Sequence, residues 1–293
     1  MNVRKIERIE DLRAELALRR RSVESVGFVP TMGALHAGHA SLIGRSAGEN
    51  DLTVVSLFLN PLQFGANEDL DKYPSSEAED LLVCAASGAD IAFCPPPSEL
   101  YPGGFSTYVN MDGMTAALCG KSRPDHFRGV MTVVGKLFNI VRPDRAYFGE
   151  KDAQQLAVVR KMARDLNFGT EIIGCPTVRE ADGLAMSSRN VYLSPDERAA
   201  ATCLYRALAT AGKRIDRGER DAQAITDLVS RTIGAEPLAE LEYAELLDAE
   251  TLESVGAETE SMLLAVAARI GGTRLIDNMM FDRAKPGKNG QRS

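Results

Sequence analysis

The segment Phe28-Val29-Pro30-Thr31-Met32-Gly33-Ala34-Leu35-His36-Ala37-Gly38-His39 holds the residues whose types and spacing point most directly to chemistry. An apolar strand pattern runs into a glycine-bearing turn, and His36 and His39 then stand three residues apart around Gly38 at a helix start. Three positions is nearly one helical turn, so both imidazoles are expected to project the same way. Gly38 leaves space for a bulky ligand to approach the backbone. A helix N-terminus adds unpaired N–H groups and partial positive charge, which favour a phosphate. The segment reads as a site for nucleotide phosphates.

Three more polar clusters follow strand-like segments or close the alternating region: Asn60-Pro61-Leu62-Gln63-Phe64-Gly65, Gly149-Glu150-Lys151-Asp152-Ala153-Gln154-Gln155 and Met186-Ser187-Ser188-Arg189-Asn190. Each has a plainer reading. Asn60-Pro61 is also a turn signal. Lys151 and Asp152 also read as a surface charge and a helix cap, and Asp152 is expected to cap in either case. Ser187 to Arg189 also reads as a linker, although two hydroxyls beside a guanidinium suit phosphate oxygens. Four such clusters at one edge of one sheet outweigh the separate plain readings.

The elements that would position these clusters alternate over the first 180 or so residues. Strands are expected at 26–30, 52–59, 91–93, 146–148 and 170–175, with helices from about 38 to 49, 77 to 87, 127 to 141 and 152 onward. That alternation implies a parallel sheet with helices on both faces, whose ligands bind beyond the carboxyl ends of the strands. Composition changes after about Val178, which sets the expected domains at 1–179 and 180–293. The second is expected to be a smaller α+β unit. It opens on a capping box, Ser194-Pro195-Asp196-Glu197, leading a helix to about Arg217. A helix near 221–233 and strands at 241–247, 262–267 and 273–276 follow, and the Lys- and Gly-bearing tail 285–293 is expected to be disordered.

Composition bounds the function. With 44% hydrophobic and 26% charged residues, the 293-residue chain reads as a soluble globular protein with no apolar run long enough to span a bilayer. Residues 1–21 do not resemble a secretory signal, so a cytoplasmic location is expected, with no membrane partner. A net charge of −7 argues against a nucleic-acid partner. Cys84, Cys94, Cys119, Cys175 and Cys203 lie far apart without metal-ligand spacing, and are expected to be reduced and packed as small hydrophobes.

The strand-to-His-x-Gly-His arrangement and the later Ser-Ser-Arg segment resemble the nucleotidylyltransferase superfamily, whose fold is Rossmann-like. Within it, PTMGALHAGH, NPLQFG, RPDHFRGV, FGEKDAQQ and DGLAMSSRN resemble the pantothenate synthetase (pantoate–β-alanine ligase) family over about residues 26–282. The resemblance implies an ATP-dependent ligase, cytoplasmic and homodimeric, that uses Mg²⁺ and joins pantoate to β-alanine through a pantoyl adenylate. It implies that His36, His39, Lys151, Ser187, Ser188 and Arg189 act on the phosphates. Gln63, Gln155, Met32 and Asn60 match the pantoate pocket. Gly38, Gly149, Asp152, Val178 and Met186 complete the ATP site, which Met32 also lines.

Glu79 and Asp80 match a region associated with the family's magnesium, and read equally as a solvated helix face. Arg123 matches a pocket arginine. Two positions depart from the family: Cys119 stands where it usually has glutamate, and Asp125 where glycine is common. The C-terminal unit is expected to cover the nucleotide during the reaction. Two other readings share the motifs: a catalytically weak nucleotide-binding regulator on the same fold, and another adenylyltransferase. The first would have lost a phosphate-contacting residue, and the second would lack Gln63 and Gln155.

Overall fold

The run Leu-Thr-Val-Val-Ser-Leu at Leu52–Leu57 is buried almost throughout, as expected of a strand with covered faces. It is the third of six parallel strands in a computed structural model that describes residues 3–282 apart from 66, 67, 75 and 257. These strands are β1 (Arg4–Ile6), β2 (Val26–Thr31), β3 (Leu52–Leu57), β4 (Ile91–Phe93), β5 (Arg145–Gly149) and β6 (Glu171–Cys175). Their order across the sheet is β1-β4-β3-β2-β5-β6, with every pairing parallel. The chain builds outward from β2 through β3 and β4, then crosses to the other side of β2 to lay down β5 and β6. The order therefore reverses between β2 and β5, where a doubly wound sheet opens its ligand crevice.

Helices α1 (Ile9–Arg19), α2 (Ala37–Glu49), α3 (Glu77–Ala86), α4 (Pro97–Leu100), α5 (Cys119–Ser122), α6 (His126–Val141) and α7 (Ala153–Asp165) connect and cover the strands. The central one is α6, whose Phe127, Val130, Val134, Leu137 and Val141 are buried at helical spacing. Arg142, in the left-handed region at φ 52°, ends it just before Pro143. The strand β1 and helix α1 add to the sequence reading. The polar pattern of α1 hides a buried Glu15, which is 6% exposed and paired with Arg4 and Arg19.

The chain divides into two compact units, Met1–Tyr192 and Leu193–Ser293. The expected boundary at 179/180 thus falls inside the first unit. There Met186 N–H donates to the Val178 carbonyl at 3.0 Å and Arg179 bridges Ala185, so the chain doubles back before leaving. The second unit holds α8 (Pro195–Ala200), α9 (Cys203–Asp216) and α10 (Ala222–Gly234). Its antiparallel sheet is β7 (Ala239–Asp248), β8 (Ser261–Ile270) and β9 (Thr273–Asp282). Ser194 and Glu197 form the expected capping box. The single helix expected from 194 to 217 is instead two: the Thr202 hydroxyl donates to the Ala199 carbonyl at 2.8 Å, and a tight turn separates α8 from α9. Residues 285–293 lie outside the described residues. All five cysteines are buried and none forms a disulfide.

Candidate active site

Strand β2 ends at Thr31, and the loop that follows is held by one carboxylate. Gly33 and Ala34 both take left-handed backbone angles, φ 85° and 51°, which turn two consecutive amides the same way. Ala34 N–H donates to Asp80 Oδ2 at 3.0 Å and Leu35 N–H to Asp80 Oδ1 at 2.7 Å. The left-handed conformation of Ala34 costs on the order of 1 kcal/mol, which two charge-assisted hydrogen bonds offset. Burial pushes the Asp80 carboxyl above its ordinary pKa, against the pull of the two amides.

The loop delivers His36 to the N-cap of α2. Gly38 N–H donates to His36 Nδ1 at 3.1 Å, and His36 N–H donates to His39 Nδ1 at 3.3 Å. This is a reciprocal capping box built from two imidazoles. The rings do come together, with centroids 4.1 Å apart, but by capping rather than by helical repeat, because His36 precedes the helix. With both Nδ1 atoms accepting, each neutral ring carries its proton on Nε2. Burial, reinforced by Lys151, lowers His36 to about 4. Burial, reinforced by His36, lowers His39 to about 3. Near neutral pH the pair is uncharged. A Cβ at Gly38 would lie 2.8 Å from His36 Cε1, so only glycine leaves the ring where it is.

The pocket beside these histidines is lined from all four clusters named in the sequence: His36 and His39, Asn60 and Gln63, Lys151 and Gln155, Ser187 to Arg189. Met32, Gly38, Gly149, Asp152, Val178 and Met186 line it as well. Space above Gly149 is open, since a Cβ there would meet nothing within 4 Å. The expected cap by Asp152 is not made: it occupies the N-cap of α7, but its side chain bonds no helix N–H. It is the one carboxylate among the described residues lining this pocket.

Asn60 and Gln63 divide one task. Asn60 is 1% exposed, and its amide donates to Gln63 Oε1 at 3.0 Å and to the Gly129 carbonyl at 3.1 Å. Its own oxygen accepts from Tyr101 Oη at 2.8 Å and Leu62 N–H at 3.3 Å. Asn60 is thereby saturated, and it fixes the Gln63 amide with its NH₂ beside Met32 Sδ. The Gln63 carbonyl accepts from His126 Nδ1 at 2.9 Å and Arg123 Nη2 at 3.2 Å. Burial, then the charge of Arg123, lowers His126 to about 4. At Gly129, α6 passes so close that a Cβ would sit 2.3 Å from the Leu62 carbonyl oxygen.

Sequence reading did not single out several residues that shape the site. Gln154, beside the expected Gln155, is buried and holds residues 114–119: it accepts from Cys119 N–H at 3.0 Å and donates to the Met114 and Ala117 carbonyls at 2.9 and 2.7 Å. Glu68 and Asp69 pair with Arg123 and Arg189, both of which line the pocket. Tyr73 Oη lies 2.9 Å from Ser188 Oγ. An acidic pair in a polar loop gives no local signal of such contacts.

Asp80 and Glu79 are not among the residues lining the pocket, and both Asp80 oxygens serve the Ala34–Leu35 amides. Among the described residues, no group of three or more His, Cys, Asp or Glu side chains could hold a metal ion.

A parallel doubly wound sheet, a histidine-capped helix at its reversal point and a cleft lined by histidine, lysine, serine and arginine side chains define a nucleotide-binding enzyme of the His-x-Gly-His type. The family can be given more narrowly. The family model described as pantoate-beta-alanine ligase matches residues 4–280, and the chain belongs to that family. The pantothenate synthetase of Acetivibrio thermocellus is 52% identical over 280 residues, covering 96% of this chain and 100% of the relative. The solved pantothenate synthetase of Thermus thermophilus superposes with a TM-score of 0.90 at 45% identity, over 94% of this chain and 99% of that one. A pantoate-beta-alanine ligase from Francisella tularensis, solved with beta-gamma ATP and beta-alanine, gives a TM-score of 0.75 at 34% identity over 94% and 97% of the two chains.

Proposed function

We propose that this pocket condenses pantoate with β-alanine at the expense of ATP. The observation that carries the reading is the convergence of all four polar clusters on one cleft at the point where the strand order reverses. In the first step the pantoate carboxylate attacks the α-phosphorus, and pyrophosphate leaves. In the second the β-alanine amine attacks the acyl carbon of pantoyl adenylate, and AMP leaves. Both steps call for positioning and for stabilising charge as it spreads onto oxygen.

His36 and His39 supply Nε2–H donors to the phosphates without adding positive charge. Lys151 serves the α-phosphate, and Ser187, Ser188 and Arg189 serve the β and γ groups. Gln63 and Gln155 hold pantoate through amides that both donate and accept, with Met32 beside them and Asn60 behind Gln63. Gly149, Asp152, Val178, Met186 and Gly38 accommodate the nucleotide. Magnesium, which prefers oxygen ligands and keeps its waters, fits a site whose lining offers only Asp152 as a carboxylate if ATP supplies the other oxygens. Asp80, which lies outside that lining and gives each of its oxygens to a loop amide, is then a loop anchor and not a metal ligand.

Among the described residues no helix is long and apolar enough to cross a membrane; the family resemblance implies a cytoplasmic homodimer. Mass analysis of a reaction with all three substrates tests the chemistry. Pantothenate and AMP in equal amounts support it; ADP in place of AMP, or no amide product, overturns it.

A further inference from the structure

Two of the cations that line the pocket are held by consecutive residues of one loop. Arg123 donates from Nε to Glu68 Oε1 at 2.7 Å and from Nη2 to Oε2 at 2.5 Å. Arg189 donates from Nε to Asp69 Oδ2 at 2.9 Å and from Nη2 to Oδ1 at 2.8 Å. Both are side-on, bidentate pairs, the geometry that fixes a guanidinium plane as well as its position. All four side chains are no more than 27% exposed, so these are not the freely solvated pairs that contribute little.

Side-on pairing occupies Nε and one edge of each fork, and leaves the two Nη1 protons facing elsewhere. The loop is itself pinned at both sides of the cleft. Phe64 meets Tyr73 edge-on at 5.9 Å, Tyr73 Oη reaches Ser188 Oγ at 2.9 Å, and Tyr192 Oη donates to the Lys72 carbonyl at 2.8 Å. On the Glu68 side, Arg123 also donates to the carbonyl of Gln63.

We propose that Glu68 and Asp69 are positioning residues that act as one two-armed clasp. Glu68 aims Arg123 at the acid substrate beside Gln63, and Asp69 aims Arg189 at the triphosphate beside Ser188. One loop thereby sets the two reactants in register, which is the entropic task of a step that depends on alignment. The inference rests on the ligase reading above. Its distinctive consequence is a split by substrate, because each carboxylate touches one arginine.

The test is pantoate-dependent exchange of labelled pyrophosphate into ATP, run on the parent chain, Glu68→Gln and Asp69→Asn, with a thermal melt of each. Both substitutions are isosteric and remove one charge-assisted acceptor, for which roughly tenfold is the expected effect. Asp69→Asn should lower the exchange kcat roughly tenfold and leave the KM for pantoate within about twofold. Glu68→Gln should raise the KM for pantoate roughly tenfold and leave that for ATP within about twofold. If Glu68→Gln melts below the assay temperature, Glu68→Asp, which keeps the charge but shortens the reach, should give the same split. Parental constants in both variants, or equal changes toward both substrates, would overturn the clasp while the parent's exchange stood. No exchange in the parent itself would overturn the ligase reading, and the clasp with it.

Discussion

The two ends of the pocket are built in different ways. The histidine end is local: strand β2, a left-handed turn and the first turn of α2 follow one another in sequence, and the donors aim themselves through their own backbone. The arginine end is assembled from residues 63–65, 68–73, 123–126 and 187–192, joined by ion pairs and hydroxyl contacts between side chains. The first is held by hydrogen bonds within a few residues and by Asp80. The second depends on partners more than fifty residues away. Damage to the first should therefore reach the chemistry directly, and damage to the second should show as altered substrate binding or alignment.

The sharpest break is at the histidine end. His39→Ala removes a donor aimed at the phosphates, and should lower adenylate formation about a hundredfold. The loss of its part in the cap should cost about 1 kcal/mol in a denaturant melt. A loss under threefold would mean that the local end is only a helix cap.

Next in size is Gly129→Ala. Its Cβ would press the backbone of Leu62 and Gln63, not a flexible side-chain end. A destabilisation of about 1–3 kcal/mol is expected, with a higher KM for pantoate and an unchanged KM for ATP. Equal effects on both constants would contradict the division between the two ends.

Asp80→Asn separates anchor from metal ligand. Losing one charged acceptor at Ala34 or Leu35 should cost about 1–3 kcal/mol of stability, while the magnesium concentration for half-maximal activity stays put. A large upward shift in that concentration would return Asp80 to the metal.

A further effect is on pH dependence. His36 and His39 fall to about 4 and 3 in the folded chain, against about 6.5 unfolded. The unfolded chain takes up their protons first, so their contribution to stability is intact above about pH 6.5 and is lost as pH falls toward about 4. Melts of the parent and His39→Asn between pH 7 and 4.5 should show a shallower decline in the variant. Parallel curves would contradict the burial of a neutral ring.

What could be read from the sequence follows the same division. Strands β2 to β9 and helices α2, α3, α6 and α7 were legible because apolar runs and periodicity are local signals. So was the gathering of the four clusters, since each follows a strand or closes the alternating region. The anchoring of the loop by Asp80 was not legible, because the amides it serves lie 45 and 46 residues before it, and a helix-face carboxylate looks the same whether it binds a metal or a backbone. Helix α1 was missed because a buried, ion-paired Glu15 breaks its apolar stripe. The pairing of Arg123 and Arg189 with neighbouring carboxylates exists only after folding.

Exchange of labelled pyrophosphate into ATP without β-alanine tests the central claim most directly, that one cleft aligns pantoate with the α-phosphate of ATP. Exchange that requires pantoate and is lost in His39→Ala is the expected result. A folded chain that binds ATP but shows no pantoate-dependent exchange would contradict it.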